Sequence, residues 1–74
     1  MKKPKFLRKD LGREIKRLRE AGLFSDMSYE AKELGIARSV LVRIEKGLPV
    51  EWEYLFLVCR DYGINPAYYL TETQ

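Results

Sequence analysis

Two short runs of helical periodicity meet at a single glycine, and that junction limits what the chain can fold into more than any other feature. Between Asp26 and Gly47 the apolar residues fall at Met27, Ala31 and Leu34, then at Ile36, Val40, Leu41 and Ile44. This is the three-and-four spacing of one helix face. Gly35 stands between the runs, and glycine accepts the left-handed backbone that ends a helix and turns the chain. Two helices joined by a turn of three or four residues make a hairpin whose second helix can enter a DNA major groove. The pattern predicts the hairpin and leaves its partner open.

The flanks continue the helical pattern. From about Lys9 to Ala21 a first helix carries Leu11, Ile15 and Leu18 in step with Leu7, and Gly22 ends it. Arg13, Lys16, Arg17 and Glu20 fill its other faces, where a solvated charged surface is the common outcome. Leu23-Phe24-Ser25 is a connection and Asp26 an N-cap, its carboxylate suited to the free N–H groups of the next turn. The second helix runs to Leu34 and the third from Ala37 to Glu45. Gly47-Leu48-Pro49-Val50 is a loop before a fourth helix from Glu51 to Tyr62, with Trp52, Leu55, Val58, Cys59 and Tyr62 on its core face. Asn65 is a further N-cap and Pro66 suits a first helical position, opening a short fifth helix to about Leu70.

At 74 residues the chain has room for one domain and one modest core. One cysteine and no histidine exclude an internal disulfide, a Cys/His zinc site and a Ser-His or Cys-His nucleophile pair. There is no phosphate-binding glycine loop, dinucleotide fingerprint or metal-ligand spacing, so no catalytic residues, cofactor or metal are expected and the chain reads as a non-enzyme. No apolar run is long enough to span a bilayer and the first residues lack a signal peptide's apolar core. A reducing, cytoplasmic setting is expected.

Charge is unevenly spread. Residues 1–20 hold nine Lys/Arg against three Asp/Glu, whereas residues 51–74 hold one Arg against four acids. The basic end suits an anionic partner, with nucleic acid ahead of an anionic membrane surface. Residues 1–8 read as a flexible basic arm, residues 9–70 as the domain, and residues 71–74 as a frayed tail.

The run from Gly35 to Gly47, Gly-Ile-Ala-Arg-Ser-Val-Leu-Val-Arg-Ile-Glu-Lys-Gly, resembles the signature of the phage-repressor and Cro-like helix-turn-helix family, also called XRE. The resemblance extends from about Leu11 to Leu70. It implies an all-α, compact five-helix lambda-repressor-like domain containing a helix-turn-helix. It also implies that Arg19, near the end of the first helix, pairs with Glu45 and clamps that helix to the third. The chain departs from the family at Met27, where many members carry a backbone-contacting glutamine, at Glu30, usually leucine, and in a shortened loop after Gly47.

On the third helix Arg38, Ser39, Val42 and Arg43 share an outward sector, and in the resembling family these positions face base edges. Arginine can bond guanine bidentately, serine can donate or accept, and valine can pack on a thymine methyl. Lys2, Lys3, Lys5, Arg13 and Lys46 are the expected DNA backbone contacts. Tyr54, Leu57, Tyr68 and Tyr69 are candidates for a homodimer interface, since two symmetric copies would double the sequence read. The expected function is thus a sequence-specific double-stranded DNA-binding transcriptional regulator, a small repressor. The alternative is a protein-interaction module of the same fold, such as an antitoxin or accessory subunit with a protein partner.

Overall fold

Short polar signals set the helix ends, and apolar stripes set which faces meet. The computed structural model describes the backbone of residues 3–22 and 26–73 and the side chains of residues 6–22 and 26–70. The expected connection at Leu23-Phe24-Ser25 lies outside them. In chain order the elements are strand β1 (Lys3–Phe6), helices α1 (Arg8–Ala21), α2 (Met27–Leu34), α3 (Arg38–Lys46) and α4 (Trp52–Tyr62), a 3-10 turn (Pro66–Tyr69) and strand β2 (Leu70–Thr73).

The helix starts and stops have local causes. Asp26 accepts a hydrogen bond from the Ser28 N–H at 2.9 Å, the N-cap chemistry that its carboxylate allows. Gly35 has φ 73°, a value that costs a residue with a Cβ, and there α2 turns into α3. Asn65 caps the final turn through the Ala67 N–H at 3.0 Å.

The core gathers Leu11 and Ile15 of α1, Ala31 of α2, Leu41 and Ile44 of α3, and Leu55, Val58 and Cys59 of α4. Burial pushes the Cys59 thiol up, which keeps it in the protonated, unreactive form. The approach of α1 to α3 is especially close. A Cβ on Gly12 would stand 2.5 Å from the Ile44 carbonyl oxygen and 2.6 Å from that of Glu45, so only a glycine lets these backbones meet.

The body is helical as expected, but the described residues form four α-helices rather than five. The segment expected as a fifth helix is a four-residue 3-10 turn, after which Leu70 is extended, with φ −82° and ψ 139°. The arm and the tail also differ from expectation. Lys3–Phe6 and Leu70–Thr73 pair antiparallel, with Phe6 opposite Leu70 and Lys3 opposite Thr73, and the Leu7 N–H donates to the Tyr69 carbonyl at 2.8 Å. Pro4 fits because strands of a two-stranded ribbon are edges, where a missing N–H is tolerated. Pairing satisfies backbone groups that a lone arm and a lone tail would leave to water.

Trp52, expected in the core, is 44% exposed. It sits at the first position of α4, flanked by Phe6 of β1, Arg8 of α1 and Phe56 one turn along its own helix. Phe6 meets it edge-on with ring centroids 5.0 Å apart, and the Arg8 guanidinium lies 4.8 Å from its ring centre.

Glu30 of α2 lies in the α2–α4 contact. Burial, then the neighbouring Asp61 carboxylate of α4, hold its carboxyl above the ordinary value of 4.5. The fold thus favours protonated Glu30, and this contribution is complete below the ordinary value and is lost as pH rises through the raised one. Glu30→Gln is expected to raise the melting temperature at pH 7, with the gain shrinking as pH falls toward 4.5. Thermal scans at the two pH values check this, and an unchanged melting temperature at pH 7 would contradict it.

Candidate functional site

The outward side of α3 is defined by what pins its inner side. Leu41 and Ile44 are buried in the core, and Glu45, 9% exposed, is gripped by Arg19 of α1. The Arg19 Nε donates to Glu45 Oε2 at 2.5 Å and Nη2 donates to Oε1 at 3.0 Å. This two-pronged geometry matches a planar guanidinium to a carboxylate, and the carboxylate in turn raises the Arg19 pKa. The pair fixes the rotation of α3 about its axis and hence which residues it presents.

Those residues are not equivalent. Arg38 and Ser39 stand exposed in the first turn of α3, which contains no acidic residue. The free N–H groups and dipole of that helix end therefore add to the positive potential of Arg38. Val42 is half-buried and lines a cleft between α1, α2 and α3 with Met27, Lys16, Lys46, Arg19 and Glu45.

Arg43 departs from its expected role as a free base reader. It is exposed, but its Nε and Nη2 donate to the Pro49 carbonyl at 3.1 and 2.8 Å. The turn after α3 brings the loop back within its reach, so Arg43 braces the short connection to α4. These two bonds hold the guanidinium toward the loop and leave its remaining N–H donors for another acceptor.

The expected backbone contacts also divide. Lys46 is exposed at the end of α3. Arg13 is exposed and makes a long, solvent-screened pair with Asp10 at 3.5 Å. Lys3 and Lys5 lie in β1 with side chains outside the described residues, as is the whole of Lys2. Arg8 is spent on Trp52 and on the Val50 carbonyl, to which it donates at 3.4 Å.

Sequence reading passed over Lys16 as a member of this surface. Lys16 is exposed and lines the same cleft as Val42 and Lys46. Its position was a usable signal: Lys16 and Arg19 are three apart and share one face of α1, so the residue beside the clamp had to face the end of α3. Met27, at the start of α2, is the cleft's apolar neighbour to Val42.

The homodimer candidates separate as well. Tyr54 and Tyr69 are partly buried and pack on the core, Leu57 is half-buried, and Tyr68 alone of the four is largely free, at 83% exposed. Larger apolar exposure occurs instead near the ribbon, where Phe6, Trp52, Phe56, Pro66, Ala67 and Leu70 line a cavity of about 430 Å³.

Among the described residues no helix is long and apolar enough to cross a membrane, and no group of three or more His, Cys, Asp or Glu is placed to hold a metal ion. No protein-family model matches the chain, and no curated protein does.

Proposed function

We propose that this chain is a sequence-specific double-stranded DNA-binding regulator, acting as a small repressor. In this reading the α2–Gly35–α3 unit is a phage-repressor or Cro-like helix-turn-helix, and the 3-10 turn stands where that family has its fifth helix. The observation that carries it is the exposed pair Arg38 and Ser39 on the acid-free first turn of a helix locked from behind by Arg19 and Glu45. A helix that reads bases must hold its side chains in a fixed register, and a buried clamp supplies that.

The mechanism is steric. Arg38 donates to guanine O6 and N7, Ser39 bonds an adjacent base edge, and Lys46 takes a phosphate. Occupying the groove excludes other proteins from the site. Arg43 starts on Pro49 and contributes less to base reading than Arg38. Tyr68 and the ribbon-side apolar surface are where a second copy would meet the first.

Point variants test the division of labour. Arg38→Ala should cost about 1 to 3 kcal/mol on a preferred duplex and far less on random sequence. Lys46→Ala should weaken both alike and lower the salt slope by about one. Arg43→Ala should weaken the preferred duplex less than Arg38→Ala does. Equal losses of Arg38→Ala on preferred and random duplexes would contradict base reading by α3.

The cluster of Trp52, Phe56 and Leu70, about half exposed each, favours a second reading, a protein-interaction module such as an antitoxin or accessory subunit. Under it, Arg38→Ala leaves function intact while Phe56→Ser abolishes partner binding.

A further inference from the structure

The cleft between α1, α2 and α3 combines features that a generic basic face lacks. Its walls carry two lysines, Lys16 and Lys46, both exposed and neither in an ion pair among the described residues. Its acid, Glu45, is taken up by both prongs of Arg19, so the charge it offers outward is positive. Its apolar surface comes from Met27 and Val42, and its volume is about 190 Å³.

We propose, resting on the DNA-binding reading above, that this cleft receives the C5-methyl group of a thymine in the bound duplex. Met27 and Val42 seat the methyl, while Lys16 and Lys46 hold nearby phosphate oxygens. Thymine is the one standard base that presents an apolar group in the major groove, and an apolar notch bordered by cations fits a methyl set among phosphates. Val42 is suited to this because it is half-buried in the cleft and has few alternative rotamers. Met27 is suited because its unbranched thioether chain adapts to the shape that it meets. The departure at Met27, a residue unable to bond a phosphate, becomes a source of specificity, and Lys16 supplies the phosphate contact instead.

The test uses a duplex enriched from a random library and replaces each thymine in turn with deoxyuridine, which differs only by the missing methyl. At one position per bound domain the wild-type protein is expected to lose about fourfold in affinity, the worth of one buried methyl. That loss should vanish in Met27→Ala/Val42→Ala, and 5-methylcytosine at the same position should bind better than cytosine. The protein is untouched in the first comparison, so its folding does not enter. An enriched duplex on which every deoxyuridine binds as well as thymine overturns the notch while leaving base reading by Arg38 standing. So does a loss that persists in the double variant. A library that yields no enriched duplex overturns both.

Discussion

Arg19→Ala or Glu45→Ala, made singly, is expected to remove about 3 to 5 kcal/mol of folding stability, because each leaves a buried charge without its partner. The side chains are 9% and 4% exposed, so water cannot take over. A domain of this size has about 5 to 10 kcal/mol in all, and the melting temperature should fall by roughly 4 to 8 °C per kcal/mol. Arg19→Lys should recover only part of the loss, since an ammonium cannot repeat the two parallel hydrogen bonds. Arg19→Met/Glu45→Leu should fold far better than either alanine variant, because replacing both charges leaves neither stranded. Urea denaturation of the four variants checks the series. Alanine variants within about 1 kcal/mol of wild type would show that the pair is effectively solvated and would leave α3 without its lock.

Gly12→Ala is the second large effect, and its sign opposes what helix propensity says. In an open helix this change stabilises by roughly 0.5 to 1 kcal/mol. Here the new methyl would meet two carbonyl oxygens of α3 at 2.5 and 2.6 Å. These are backbone atoms that no rotamer change can clear, so α1 and α3 must separate. Overpacking of this kind costs about 1 to 3 kcal/mol, and Gly12→Val should cost more. One of the two carbonyls belongs to Glu45, so separation also opens the Arg19 clamp. Gly12→Ala should therefore be less than additive with Glu45→Ala. A Gly12→Ala protein that melts higher than wild type would contradict the close approach of these helices.

What the sequence showed and what it hid follow one division. Helix positions were legible because their signals are local: the Asp26 cap, the turn at Gly35 and the Asn65-Pro66 start all appear where expected, and α1, α3 and α4 begin or end within one residue of the periodic runs. The core stripes Leu11-Ile15 and Leu41-Ile44 were legible for the same reason. The Arg19–Glu45 pair came from resemblance, since nothing in the spacing of two residues 26 apart announces a contact.

The rest depended on distant parts of the chain. Lys3–Phe6 is four residues long and contains a proline, too short a run to announce a strand, and it is one because Leu70–Thr73 reaches it. Trp52 lies on the apolar face of α4, yet at the first position of that helix its neighbours leave it 44% exposed. Gly12 carries no local signal of its role, which comes from the carbonyl oxygens of α3 laid against it. Arg43 shares a sector with Arg38 and Ser39, and only the path of the loop to Pro49 sets it apart.

The most direct test of the account is selection from a random duplex library, followed by affinity measurements on the best sequence and a scrambled one across a salt series. A base-reading α3 predicts a strong preference for the selected duplex, at least a hundredfold, that persists while added salt weakens both. No enriched sequence, with only weak binding that collapses as salt rises, would contradict it and leave a basic surface without recognition.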